Sequence, residues 1–374
     1  MDWKRFGFIA LIIIVLFSVV VMVGQVKQPP LLIITSMLAT TIAVATPLTL
    51  GALSGVFCER SGVVNIGIEG MMLTSAFFGW LGGIYMYHVY NFKLMEAGAG
   101  WSIAIGVLVA ILTGAVMSLL HAVLSITFKV DQIIGGTVIN ILAVGLTGFL
   151  NRQLFFGATS VFEGSVPSSP GVLPTIHIPI TEIFSSLCRT EVCLTNITAI
   201  NRVFDQKPIA LSAVILVFLS HYILFNTRWG LRTRAVGEHP KAADTVGINV
   251  AFMRYANVII GGMFAGLAGA YFTIESVPSF EPLLTNGRGF ISLAAMIFGN
   301  WTPIGAWAAS LVFGASQALL INMQIFRDVI PEQWSFLQES YIVGLTPYIL
   351  TMFILTGVIG KTTPPAADGV AYEK

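Results

Sequence analysis

Residues 101–125 read WSIAIGVLVAILTGAVMSLLHAVLS, a run without a single Asp, Glu, Lys or Arg. A helix that crosses a bilayer needs about 20 mostly apolar residues, because hydrocarbon offers no partner to an unpaired backbone N–H or C=O. Working outward, comparable runs lie near residues 7–24, 31–56, 63–87, 132–150, 208–225, 255–274, 289–299, 303–323 and 341–359. Together they make about ten segments. They predict an all-α, polytopic membrane helix bundle, with residues 1–374 forming one transmembrane domain.

Composition agrees with this reading. Hydrophobic residues make up 56% of the chain and charged residues 10%, against roughly 25% charged in a soluble domain. A net charge of +1 gives no reason to expect a nucleic-acid partner; the expected surroundings are membrane lipid. The first run follows Lys4 and Arg5 and ends at Val23-Gly24-Gln25-Val26-Lys27. That end has no small-x-small cleavage site, so the run is expected to stay as a first helix.

Charge in the short loops orients the bundle. With the N-terminus inside, the inner side holds Lys4, Arg5, Arg60, Lys129, Arg228, Arg232, Arg234, Lys241, Arg254, Lys361 and Lys374, and the outer short loops hold Lys27, Lys93, Arg288 and Arg327. Lys and Arg concentrate on the cytoplasmic side of membrane proteins. Both termini are therefore expected to be cytoplasmic, in a multi-pass protein of the cell inner (plasma) membrane.

Two polar interruptions divide the runs, 152–207 outside and 226–254 inside. The outer one reads either as an extracytoplasmic cap or docking surface or as a tolerated insertion. It contains Cys188 and Cys193, which either pair in an oxidising compartment or stay free, while Cys58 lies at a cytoplasmic helix end. The outer loop separates two halves of about five helices each, and an odd number per half makes any internal repeat inverted. In the seventh run, Gly262, Gly266 and Ala270 form one ladder of small residues and Gly261, Ala265 and Gly269 another. Both suit close helix packing.

Three stretches and one amide carry the functional reading. The first is Trp229-Gly230-Leu231-Arg232-Thr233-Arg234-Ala235-Val236-Gly237-Glu238-His239-Pro240-Lys241-Ala242-Ala243-Asp244-Thr245-Val246-Gly247-Ile248. It predicts a basic lead-in, a turn at Gly237 and Pro240, a short helix and a stop at Gly247. With Ala242 and Ala243 exposed, such a helix fits a cleft in a partner protein; otherwise it is a positive-inside anchor.

The second is Ser61-Gly62-Val63-Val64-Asn65-Ile66-Gly67-Ile68-Glu69-Gly70-Met71-Met72-Leu73. A carboxylate such as Glu69 beside an apolar span is costly unless it is paired or faces water. Asn65, Gly67, Glu69 and Gly70 are thus candidates for the substrate pathway, the alternative being that Glu69 sits at the interface and pairs with Arg60. The third stretch, 285–305, has too short an apolar run to span and predicts a half-helix broken between Asn300 and Gly305. Asn140 and Asn300 complete the pathway candidates; Asn140 would bind a hydroxylated solute or join two helices.

These stretches resemble a known family. Gly230-Leu231-Arg232-x-Arg234-Ala235-x-Gly237-Glu238-x-Pro240-x-Ala242-Ala243-x-x-x-Gly247-Ile248 looks like the cytoplasmic loop of ABC permeases of the ribose, branched-chain amino acid and nucleoside type. Asn65-Ile66-Gly67-x-Glu69-Gly70 resembles a signature of nucleoside and simple-sugar permeases, and Gly287-Arg288-Gly289-Phe290 with Gly299-x-Trp301-x-Pro303-x-Gly305 is similar to a third family region. The resemblance implies an importer permease, with nucleosides first, ribose-like sugars second and branched-chain amino acids third.

It also implies partners: a second permease, a paralogue; two cytoplasmic ATPase domains that bind the ATP; and an extracytoplasmic substrate-binding protein. Contact with the ATPase would fall to Arg232, Arg234, Gly237, Glu238, Ala242, Ala243 and Gly247. Lys241 stands where the widespread coupling motif has Glu, and Glu238 is the substitute on this chain.

Catalytic readings lack residues. His88, His121, His177, His221 and His239 show no metal-ligand spacing, and Gly360-Lys361-Thr362 lacks the first glycine of a Walker loop, position 355 being Leu. No cofactor or catalytic role is expected. The rival class, an ion-coupled secondary transporter, needs buried carboxylates in its spans, and the sequence places only Glu69 there.

Overall fold

The computed structural model describes residues 30–88, 98–156, 171–177, 191–322, 345 and 362–373. The predicted runs at 7–24 and 341–359, and Cys188 with its expected pairing, lie outside the described residues. Among the described residues the elements are helical, apart from one isolated bridge between Ile176 and Gln206.

In chain order the helices are α1 (Pro30–Arg60), α2 (Ile68–His88), α3 (Gly98–Ala122), α4 (Gln132–Asn151), α5 (Glu191–Phe204), α6 (Pro208–Asn226), α7 (Arg228–Glu238), α8 (Pro240–Thr245), α9 (Val250–Ala270), α10 (Arg288–Phe298) and α11 (Pro303–Asn322). Turns of π-helix extend α3, α4 and α9 over Val123–Thr127, Arg152–Phe156 and Tyr271–Ser276. Among the described residues five helical stretches are long and apolar enough to cross a membrane: Leu31–Arg60, Gly100–Thr127, Gln132–Phe156, Pro208–Asn226 and Val250–Ser276. The predicted runs at 63–87, 289–299 and 303–323 coincide with α2, α10 and α11.

Departures from the expected boundaries have local causes. The third run begins five residues late, at Ile68, because Ser61–Gly67 is a turn rather than helix. The seventh begins early, at Val250, where the Asn249 side chain accepts from the Phe252 N–H at 2.9 Å and caps the first turn. Asp131 does the same for α4 through the N–H groups of Ile133 and Ile134. The stretch 152–207 is not wholly a loop, since Arg152–Phe156 prolongs α4 and Glu191–Phe204 is a helix.

The described residues divide into two units. The smaller comprises the described parts of 1–45, 175–207 and 311–362. In it Gln206 Nε2 donates to the Ala39 carbonyl at 3.4 Å, and the Ile176 N–H to the Gln206 carbonyl at 3.0 Å.

The larger unit comprises the described parts of 46–174, 208–310 and 363–374. Its centre is the trio α2, α3 and α9, which pack along their lengths. Small residues permit this approach. A Cβ on Gly79 would lie 2.7 Å from Ala110 Cβ, and one on Gly266 2.5 Å from the Ala110 carbonyl oxygen. The two ladders of α9 pack on different neighbours: Gly262 and Gly266 meet α3, while Gly261 meets Ser54 and Cys58 of α1 and Gly269 meets Met72 of α2. Backbone-to-backbone approach of this kind is how helices associate when lipid removes the hydrophobic drive between them. Around the trio, Leu50, Ile68, Met71, Met72, Ile139 and Ile209 form the main buried cluster.

Candidate functional site

Three interruptions of helix lie in the larger unit, and each satisfies its freed backbone groups inside the protein. At membrane depth that is the only condition under which irregular backbone survives.

The first is the turn between α1 and α2. Asn65, fully buried, accepts the Gly67 N–H at 3.1 Å through Oδ1. Its Nδ2 faces only sulfur, Met71 Sδ at 3.5 Å and Cys58 Sγ at 3.6 Å. The Val64 N–H donates to Gln132 Oε1 at 2.7 Å, and the Val64 carbonyl lies 2.9 Å from His121 Nε2. A carbonyl can only accept, so that ring nitrogen carries the proton.

Asn140 of α4 completes the turn from the other side. Its Nδ2 donates to the Ile66 carbonyl at 3.0 Å, and its Oδ1 accepts the Gly70 N–H at 2.7 Å. One amide thus bridges two helices, and α4 comes so close that a Cβ on Gly70 would lie 2.8 Å from Asn140 Cα.

The second break precedes α10. Glu69 does not pair with Arg60 as one reading of the sequence had it. Its Oε1 accepts from Thr285 Oγ1 at 2.6 Å and from the Gly287 N–H at 2.8 Å, and its Oε2 from the Gly289 N–H at 2.6 Å. The positive end of the α10 dipole and its unpaired N–H groups draw the carboxylate there. Gly287, at φ 77°, supplies the left-handed residue that aims those donors at one point.

The third break, between α10 and α11, matches the predicted interruption. Asn300 and Trp301 both have left-handed backbones, φ 51° and 52°, a conformation that is rare for a bulky side chain. Four contacts hold them. Arg60 donates to the Trp301 carbonyl at 2.8 Å and the Asn300 carbonyl at 3.1 Å, Trp301 Nε1 donates to Glu59 Oε2 at 2.6 Å, and Asn300 Oδ1 accepts the Thr363 N–H at 3.1 Å.

Helices α7 and α8 lie against the end of the unit that carries the first and third breaks. Thr227 Oγ1 caps α7 by accepting the Gly230 N–H, and Pro240 opens α8. The Asn257 side chain of α9 bonds Trp229 and Thr233, tying α7 to α9. Gly237 meets α1 directly, since a Cβ there would run into the Arg60 carbonyl oxygen.

Arg232 is exposed, Arg234 lies 5.1 Å over the Phe225 ring, and Gly247 has φ 84°. Ala242 is exposed as expected, but Ala243 is not. It packs under α8 with Val236, Val250 and Met253, because a helix lying on a surface must turn one face inward.

Sequence reading missed several buried ionisable groups. Glu59 and Glu275 are 6% and 1% exposed, and Arg254 is 1% exposed. Glu275 accepts the Ile209 N–H at 2.6 Å and the Ala210 N–H at 3.0 Å, capping α6 much as Glu69 caps α10. Each lies at a helix end, where one-dimensional hydropathy does not separate a buried terminus from a solvated one. On the unit's surface, Trp80, Phe156 and Phe280 line a recess of about 550 Å³ with Asn151, Arg152 and Glu281.

Apolar spanning helices, interrupted where polar side chains recover the backbone, define a multi-pass membrane protein of the permease class. The chain belongs to the family described as branched-chain amino acid transport system / permease component, whose profile matches residues 37–359.

It is 39% identical over 348 residues to the guanosine ABC transporter permease protein NupQ of Bacillus subtilis (strain 168), covering 91% of this chain and 98% of that protein. It is 36% identical over 340 residues to the nucleoside ABC transporter permease protein NupC of Lactococcus lactis subsp. cremoris (strain MG1363), covering 90% of this chain and 96% of that one. A second Bacillus subtilis (strain 168) protein, the guanosine ABC transporter permease protein NupP, is 24% identical over 333 residues, 88% of this chain and 85% of its own. These relatives are transport permeases rather than enzymes. No solved structure matches the chain.

Proposed function

We propose that this chain is the nucleoside permease subunit of an ATP-driven importer. The observation that carries the reading is the identity to two nucleoside permeases over at least nine-tenths of the chain. NupQ and NupP come from one organism and both are described as guanosine permeases, which supports pairing with a diverged second permease. Two ATPase domains bind and hydrolyse the ATP, and an extracytoplasmic binding protein delivers the solute. Both termini and the α7–α8 pair face the cytoplasm, in line with the Lys and Arg bias.

The α7–α8 pair receives the ATPase through Arg232, Arg234, Gly237, Glu238, Ala242, Ala243 and Gly247. The geometry supporting this is a short helix with an exposed small residue, Ala242, resting on the end of the unit that holds two helix breaks. Asn65, Gly67, Glu69, Gly70, Asn140 and Asn300 shape the pathway by holding those breaks. Asn65, Glu69, Asn140 and Asn300 bond backbone groups, with Asn65 Nδ2 also against two sulfurs and Glu69 also on the Thr285 hydroxyl, so their part is to set the path of the chain around the solute. Alternating access then consists of rigid tilts about these turns, driven through α7–α8.

The test is uptake of radiolabelled guanosine, adenosine, uridine and ribose into vesicles carrying the chain with its co-encoded subunits. Nucleoside uptake that requires ATP and survives collapse of ion gradients is expected. Gradient-driven uptake without an ATPase would replace the reading with secondary transport, and ribose uptake alone would reassign the solute.

A further inference from the structure

The segment 363–373 touches every polar element at one end of the larger unit. The Ala367 N–H donates to the Gly237 carbonyl at 2.9 Å and the Ala366 N–H to Glu238 Oε2 at 3.1 Å, which fixes it to the end of α7. The Thr363 N–H reaches Asn300 Oδ1 in the α10–α11 break. Arg254 Nη1, from α9, donates to the Val370 carbonyl at 2.9 Å, and Tyr372 joins the apolar cluster under α8. Against the α1–α2 turn the fit is tight: a Cβ on Gly62 would lie 3.0 Å from the Ala367 carbonyl oxygen.

At its centre Asp368 lies beside Glu59, the residue that also receives Trp301 Nε1. Arg254 lies beside this pair without closing an ion pair on it. Its Nε and Nη2, and Asp368 Oδ1, are buried with no hydrogen-bond partner. Buried polar atoms left unpaired favour any neighbouring arrangement that pairs them. A small shift of the segment would close an Arg254–Asp368 pair.

We propose that residues 363–373 form a strap that carries movement of α7–α8 to the α1–α2 turn and the α10–α11 break, with Asp368 as a latch that closes on Arg254. This rests on the reading of α7–α8 as the ATPase contact. Strap contacts at Gly237 and Glu238 lie on the loop that would be pushed. Those at Gly62 and Asn300 lie on the turns that must tilt. A purely structural tail would stabilise the chain without altering how much solute each ATP moves.

The experiment uses the full complex and reads guanosine uptake per ATP hydrolysed, together with the amount of complex in the membrane. Three variants are compared: deletion of 363–374, Ala367→Pro, which removes the N–H that bonds Gly237, and Asp368→Asn. Each should keep ATP hydrolysis within about two-fold of the parent, while uptake per ATP falls about ten-fold for the deletion and several-fold for the point variants.

If the deletion does not reach the membrane, the two point variants decide: a fallen ratio supports the strap and a parental ratio overturns it. Val246→Cys, at a position 74% exposed on the α8 turn, reports docking separately through crosslinking to the ATPase subunit. Crosslinking at full yield with parental uptake per ATP in the strap variants overturns the strap alone. Failure to crosslink in the otherwise unaltered chain overturns the docking reading, and the strap with it.

Discussion

The Glu69 carboxylate lies 2.6 Å from the backbone nitrogen of Gly289, on a helix that begins more than two hundred residues later in the chain. Through this contact and the one to Gly287, the start of α2 and the start of α10 share one charged group. Glu69→Ala leaves those N–H groups and the Thr285 hydroxyl without their acceptor, at about 1–3 kcal/mol for each buried donor left unmet. A clear fall in the thermal midpoint of the detergent-solubilised chain is expected, with Glu69→Gln falling less because it keeps one acceptor oxygen. Equal midpoints for Glu69→Ala and the parent would show that the cap contributes nothing.

Asn140 both donates and accepts, so its replacements separate the two roles. Asn140→Asp keeps the acceptor for the Gly70 N–H but turns an oxygen toward the Ile66 carbonyl unless that oxygen is protonated. The variant should therefore be more stable at pH 5 than at pH 8, whereas Asn140→Leu should be destabilised at both. Thermal unfolding at the two pH values measures the difference.

Gly269 and Gly145 make a matched pair. A Cβ on Gly269 would lie 2.5 Å from the Met72 carbonyl oxygen, while one on Gly145 meets nothing within 4 Å. Gly269→Ala should force α9 from α2 and cost about 1–3 kcal/mol, and Gly145→Ala should be neutral or slightly stabilising through helix propensity. Folded yield and thermal midpoint distinguish the two.

Ala242 and Ala243 are adjacent, but they answer different questions. Ala242→Trp projects from the surface and should leave folding intact while abolishing coupled uptake. Ala243→Trp should destabilise the α7–α8 pair, because Ala243 is 3% exposed. Undiminished uptake by Ala242→Trp would remove α8 as the docking element.

The strap should respond to pH. Burial pushes the Asp368 carboxyl from the ordinary 3.8 up to about 6, against the lowering effects of neighbouring Glu59, the Gly369 backbone and the Arg254 charge. The charged and titratable groups facing the strap are Glu59 from α1, Glu238 from α7, Lys241 and Asp244 from α8, Arg254 from α9 and Lys129, which pairs with Glu373. A docked carboxyl with a raised pKa holds a proton that the free one has lost. Docking is therefore strongest below about pH 4 and weakens as pH rises to about 6. Protection of residues 363–374 from carboxypeptidase should follow this curve, and Asp368→Asn should flatten it.

Hydropathy alone marked eight of the described helices' positions or their near neighbours, because a chain in lipid has few choices besides helix. The short run at 289–299 and the break after it were legible for the same reason, since eleven residues do not cross a bilayer. Turn residues at 237–247 announced a break and a short helix. What one dimension could not supply was partnership. Glu69 read either as a pathway carboxylate or as an interface residue paired with Arg60, and only the arrival of α10 beside α2 made it a cap.

Ala243 and Ala242 look alike in sequence; which one faces inward depends on how α8 lies on Val250 and Met253. Segment 363–373 is a polar stretch after an apolar run, and nothing in its composition indicates that it binds four separate helices. The sequence by itself determined where the chain must be helical, because the solvent dictates that. Tertiary structure decided which buried charge meets which backbone, because those partners are brought together only by close packing of helices distant in the chain.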